Sequence, residues 1–141
     1  MRRAFTLIEL MLVLAVVGIL LGIGLPALNR MLDSIEVGAA IAHIVAAHQR
    51  ARLMSITRGQ VLRLSIGADQ IAIYARSGIT PLWSEAGPEH AHVTLSGPAR
   101  QFTFSPEGFT LGLSNASLQL TRGASTRSVV ISRLGRIRVD R

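Results

Sequence analysis

Glu9 is the first residue in the chain with a chemical problem to solve. It is followed by 19 residues, Leu10 to Leu28, without a charged or polar side chain. A carboxylate carried into a membrane costs roughly 2.5–3.5 kcal/mol on insertion scales, so Glu9 needs either headgroup water within reach or a cation supplied by a partner. A second group is basic. Arg133, Arg136, Arg138 and Arg141 crowd the C-terminus, with Arg122 and Arg127 just before them and only Asp140 opposing. On a strand Arg136 and Arg138 share one side, about 7 Å apart, close to the phosphate repeat of nucleic acid. Binding by such a pair is weak, indifferent to sequence and salt-sensitive, and no aromatic residue interleaves the cluster to stack on bases. A solvated or edge-protecting strand, lipid headgroups or acidic neighbours would use the same residues.

The remaining candidates for chemistry are sparse. His43 and His48, five apart on a helix, do not share a face well. His90 and His92 would point to one side of a strand, but no acidic or thiolate cluster completes a metal site. The histidines are therefore expected at the surface, and Glu85 and Glu89 solvated. With no Cys there is neither a disulfide framework nor a thiol nucleophile. No Ser-His-Asp set, phosphate loop or paired-carboxylate signature is present. Neither enzymatic activity nor a cofactor is expected.

These residues must be positioned by a chain of 141 residues, 49% hydrophobic, 16% charged and of net charge +7, with every basic residue an Arg. That is one domain with an appendage rather than a disordered polymer. Arg2 and Arg3 precede the apolar block, a pattern shared by cleaved secretory signals, membrane anchors and prepilin leaders. As a helix the block spans most of a bilayer core, and the basic flank predicts a cytoplasmic N-terminus with the remainder exported. Cleavage near Gly22-Ile23-Gly24 is the secretory alternative; it leaves Glu9 without a role. Gly18 and Gly22 form a small-xxx-small pair, suited to close helix approach or simply ordinary in membrane helices.

Beyond Leu28, the residues Leu28, Met31, Leu32, Ile35, Ala39, Ala42, Val45, Ala46, Gln49, Leu53 and Ile56 recur at three and four, predicting an amphipathic helix with this face toward a sheet. Pro26 is expected to kink the junction rather than end the helix. The whole helix would run from Phe5 to about Thr57, roughly 80 Å, and stop at Gly59 with Arg58 complementing its dipole. The period then becomes two. Strands are predicted around Leu62–Ile66, Ile71–Tyr74, Val93–Leu95, Phe102–Phe104, Phe109–Leu113, Leu118–Leu120, Val129–Ile131 and Ile137–Val139, separated by Gly, Pro and Asn turns. Residues 77–91 carry no clear pattern and are expected to be loop. One long helix on antiparallel sheet is an α+β fold.

Ala4-Phe5-Thr6-Leu7-Ile8-Glu9-Leu10-Met11 resembles the class III signal of type IV pilins and type II secretion pseudopilins. The resemblance implies that a prepilin peptidase cuts between Ala4 and Phe5, that the Phe5 amine is methylated, and that Glu9 pairs with the Phe5 amine of a neighbouring subunit. Ala4 stands where the family usually has Gly. Ala51-Arg52 with Ser55-Ile56-Thr57-Arg58-Gly59-Gln60, Phe102-Thr103-Phe104-Ser105-Pro106-Glu107-Gly108, and Val129-Val130-Ile131-Ser132 with Gly135-Arg136-Ile137-Arg138 resemble segments of the GspH/FimT family of minor pseudopilins and minor pilins. Gly135-Arg136-Ile137-Arg138 is also similar to a Gly-Arg-x-Arg motif associated there with DNA capture in transformation. The implied organisation is a leader over residues 1–4, a transmembrane and assembly helix over 5–28, and a pilin-like head over 29–141, helical over 29–57 and β-rich over 60–141. The implied partners are sibling subunits, the prepilin peptidase, an inner-membrane assembly platform and, for the DNA reading, DNA. The implied location is the inner membrane, single-pass with the head periplasmic, and then a filament. A membrane-anchored β-rich protein without filament partners is the third reading.

Overall fold

The computed structural model describes residues 6–112, 116–132 and 136–140. By its contacts the chain separates into two units, Met1–Leu32 and Asp33–Arg141. One helix, α1, runs Leu7–Arg58 and contains Pro26 without a break in the helical assignment. From Leu10 to Leu28 it is apolar around its whole circumference, and its side chains from Leu7 to Leu32 are exposed. It is the one helix among the described residues long and apolar enough to cross a membrane. A helix can lie in such surroundings because its backbone hydrogen bonds are satisfied internally.

The second unit holds the C-terminal part of α1 and two antiparallel sheets. Strands β1 (Leu62–Ile66), β2 (Gln70–Ala75), β3 (Pro81–Ala86), β5 (Arg100–Phe104) and β6 (Thr110–Leu111) form one sheet in the order β3-β2-β1-β5-β6. Strands β4 (Thr94–Ser96), β7 (Ala116–Arg122), β8 (Ser125–Ile131) and β9 (Ile137–Asp140) form the other, in the order β4-β7-β8-β9. The α+β architecture anticipated from the change of period is present. Alternation decides which side chains enter the core. Leu62, Leu64 and Ile66 of β1, Phe102 and Phe104 of β5, Leu118 and Leu120 of β7, and Val129 and Ile131 of β8 are all buried.

The helix face expected to meet the sheets is not the one that does. The buried residues are Val37, Ala40, Ile41, Ile44, Ala47, His48, Ala51 and Ser55, whereas Ile35, Ala39, Ala42, Ala46, Leu53 and Ile56 are exposed. Both sets recur at three and four. Spacing alone does not separate them; the buried set is the one that joins the core cluster formed with the strands. Residues 77–91, expected to be loop, contain β3 and a 3-10 turn, Pro88–Ala91. Strand β3 lies at a sheet edge and turns Trp83 and Glu85 inward opposite Ile73 and Ile71, too little apolar alternation to be seen in the sequence. Pro81 is tolerated as the first residue of an edge strand. Leu113, expected to end a strand, lies outside the described residues.

Two glycines are required by geometry. Gly87 donates to the Asp69 carbonyl at 2.7 Å, and a β-carbon there would meet the backbone of Ala68, Asp69 and Gln70. Gly108 turns the chain between β5 and β6 at φ 81° with the Ile56 side chain against it, so a larger residue would meet both strain and contact. Gly59, at φ 60°, ends α1 as its position predicts.

His48 was expected at the surface and is fully buried. Its ring meets Phe104 and Phe102 edge-on, at 5.0 Å and 5.9 Å between centroids. Neither ring nitrogen has a hydrogen-bond partner among the described residues. Burial, reinforced by the nearby Arg52 charge, lowers its pKa from 6.5 to about 4. The unfolded chain therefore binds more protons between these values. The stability conferred by neutral His48 is complete above pH 6.5 and is lost as the pH falls toward 4, by up to about 1.4 kcal/mol per pH unit. The full chain in detergent should accordingly show a falling unfolding midpoint from pH 7 to pH 5, and His48→Leu should shrink that fall. Equal falls in the two proteins would mean that His48 is not the residue responsible.

Candidate functional site

Glu9 sits in the first turn of α1. Its backbone N–H donates to the Thr6 hydroxyl at 3.3 Å, and the Leu10 N–H donates to the Thr6 carbonyl at 3.2 Å. Thr6-x-x-Glu9 thus has the spacing of a helix capping box, with Thr6 as the cap. This element went unread in the sequence, although its signature stands there in full. The negative side chain of Glu9 also complements the positive end of the helix dipole. Glu9 is exposed, and no described residue forms an ion pair with it. Ala4 and Phe5, which would carry the processing site, lie outside the described residues.

The C-terminal arginines separate into groups with different surroundings. Arg122 and Arg127 occupy inward positions on β7 and β8, in phase with the buried Leu118 and Leu120 and with Val129 and Ile131. Arg122 lies 3.3 Å from the Asp33 carboxylate and 3.8 Å from that of Glu36, and it donates to the Ala91 carbonyl at 2.6 Å. Arg127 donates to the Ser34 hydroxyl at 2.9 Å. These two cations tie the β7–β8 hairpin to α1 and to the 3-10 turn, and so are not presented to a ligand. Arg136 and Arg138 are exposed. Arg136 precedes β9, and its N–H donates to the Ser132 hydroxyl at 3.2 Å. Arg138 stands opposite Val130, with its Nε 2.7 Å from the Asp140 carboxylate. Since alternate residues on a strand share a side, Asp140 competes for Arg138 with any anion arriving there. Arg133 and Arg141 lie outside the described residues.

The histidines do not converge. His43 Nδ1 lies 3.5 Å from the Glu85 carboxylate, and Glu85 is half-buried rather than freely solvated. His90 lies in the 3-10 turn, and His92 ends it at φ 55°, so the strand expected to align them does not form. No group of three potential metal ligands occurs among the described residues. Glu89 is solvated as expected; a hydrogen bond with the Asp69 carboxyl raises its pKa. The Ser105 hydroxyl, bonded to Glu107, lowers that of Glu107.

Two family models match the chain. The family described as type II transport protein GspH matches residues 40–135, and the prokaryotic N-terminal methylation motif matches residues 1–25. The pilin-like protein PilA1 of Thermus thermophilus is 32% identical over 157 residues, covering 99% of each protein. Among solved structures, the type IV minor pilin FimU of Pseudomonas aeruginosa shares the fold in two crystal forms. In one the TM-score is 0.63 at 19% identity, covering 77% of this chain and 91% of FimU. In the other it is 0.56 at 17% identity, covering 74% and 92%. With the family matched over most of its length and a relative aligned end to end, this pilin-like chain belongs to the GspH family and carries its N-terminal methylation motif.

Proposed function

We propose that the protein is a minor subunit of a type II secretion pseudopilus or a type IV pilus. A prepilin peptidase releases residues 1–4 between Ala4 and Phe5, and the new Phe5 amine is methylated. The apolar part of α1 anchors the precursor in the inner membrane, with its N-terminus cytoplasmic and its head periplasmic. An assembly platform then transfers it into a bundle of sibling helices. The observation that carries this reading is the position of Glu9, an exposed carboxylate in the first turn of α1, directly ahead of 19 residues without a charged or polar side chain. Its charge is met by the Phe5 amine of a neighbouring subunit, which removes the cost of holding it in lipid. The capping bond from Thr6 keeps the backbone helical up to that residue, so the carboxylate is presented from an ordered turn.

In cells that contain the peptidase, mass analysis of the mature protein should find methylated Phe5 at its start. A start at Leu25 would instead identify ordinary secretory cleavage and remove the filament reading. Glu9→Ala should insert into membranes normally but fall at least about tenfold in the filament fraction, the equivalent of about 1.4 kcal/mol per subunit. Incorporation at wild-type levels would show that the pairing role is wrong.

A second reading, DNA capture by a transformation pilus, is favoured by the exposure of Arg136 and Arg138 at one sheet edge. Because Asp140 already engages Arg138, DNA binding through this pair should be weak and should fade as salt rises. In a gel shift with the full chain, replacing both arginines with Ala should abolish retardation. Equal retardation by the double variant would remove this reading.

A further inference from the structure

The outward face of the five-stranded sheet carries a cleft that neither the filament reading nor the C-terminal arginines use. It has a volume of about 420 Å³ and is lined by Arg63, Ser65, Tyr74, Arg76, Ser77 and Gln101, with the tip of the β2–β3 turn beside them. Strand pairing builds its floor. Arg63 of β1 lies directly between Tyr74 of β2 and Thr103 of β5, and Ser65 lies between Ala72 and Gln101. These residues alternate with the buried Leu62, Leu64 and Ile66, so they are confined to the face opposite the core.

Three observations give this cleft a chemistry. The first is charge: two guanidinium groups line it, and no carboxylate does among the described residues. The second is an unmet donor. Arg63 Nε is buried and has no hydrogen-bond partner among the described residues, a costly condition for a charged donor unless an acceptor comes to it. The third is preorganisation. The Arg63 guanidinium lies over the Tyr74 ring at 5.3 Å, which holds the planar fork in place before any ligand arrives. Arg76 is exposed at the rim and is free to close on whatever Arg63 holds.

We propose that this cleft binds a phosphate group, bridged by the guanidinium forks of Arg63 and Arg76, with the hydroxyls of Ser65 and Ser77 and the Gln101 amide completing its coordination. Two cations without a local acid match a phosphate dianion better than a single carboxylate. Arg is the side chain whose geometry allows two parallel bonds to such oxygens. The volume exceeds that of the bare ion. The surplus lies beside Tyr74 and Ile79, and Ile79 is 94% exposed, so the phosphate can belong to an organic phosphate whose apolar part rests there. The site is separate from Arg136 and Arg138, and its occupancy does not depend on either function proposed above.

The test uses the full chain in non-ionic detergent, titrated calorimetrically with inorganic phosphate at low salt. Saturable binding is expected below about 10 mM, a modest free energy suited to one ion in an open cleft. Arg63→Gln and Arg76→Gln should each weaken it by at least about tenfold, while the Arg136→Gln, Arg138→Gln double variant should bind as wild type does. Arg76 is exposed, so its variant keeps the test valid even if Arg63→Gln loses stability. Two further probes distinguish the source of the phosphate. Tighter binding of glycerol phosphate than of inorganic phosphate would point to a small organic phosphate. Competition by a short single-stranded oligonucleotide, lost in Arg76→Gln, would point to a nucleic-acid backbone. Absence of saturation at about 10 mM phosphate, or an Arg76→Gln protein that melts normally and binds as wild type does, would overturn the proposal.

Discussion

The apolar surface of Leu7–Leu32 sets the terms for everything else in the molecule. These side chains are open on all sides, and water is a poor solvent for that much hydrocarbon. Such a surface calls for an apolar environment, which in the proposed function is first lipid and then the company of similar helices. Helical backbone is the form in which a single segment meets that demand, because each N–H and C=O beyond the ends finds its partner inside the element. The ends are the exception, and Thr6 attends to the N-terminal one by capping the Glu9 amide. A carboxylate at that position is favoured by the local dipole while remaining a poor guest for hydrocarbon. In the proposed filament, that tension is what an incoming ammonium group would relieve.

The second unit, Asp33–Arg141, solves a different problem with its own stretch of helix. Past Asp33 the element buries a face of Val, Ala, Ile, His and Ser in a core shared with strands of the two sheets. Charged residues reinforce the junction from inward strand positions: Arg122 reaches Asp33 and Glu36, and Arg127 reaches Ser34. The positive charge crowded near the C-terminus is therefore partly internal scaffolding. What remains exposed is smaller than the tally of arginines suggests, and one member of it is occupied by Asp140.

Much of this was legible in the sequence, and the parts that were not share a cause. The extent of α1, its stop at Gly59 and most strands follow from local rules: a period of three to four, a glycine at positive φ, alternation between turn residues. The helix face was misread because two stripes compete at the same spacing. Only the sheets, which are distant in sequence, select which of them is buried. Strand β3 was missed because an edge strand needs little apolar alternation. His48 looked like a surface residue because a lone imidazole on a helix gives no sign of the two phenylalanines that enclose it. The division among the arginines could have been read, since 118, 120, 122 and 127, 129, 131 are each in phase and the apolar members fix the direction of the others. The Arg63 cleft could not, because it requires knowing that β1 lies between β2 and β5.

The buried helix face has one more effect. Ala40, Ala47, Ala51 and Ser55 are buried beside Val37, Ile41, Ile44 and His48, while Leu53 and Ile56 stand in solvent. Turning this stretch of helix by one residue about its own axis would carry buried positions outward and exposed ones inward, so its azimuth against the strands is fixed by the pattern of its side chains.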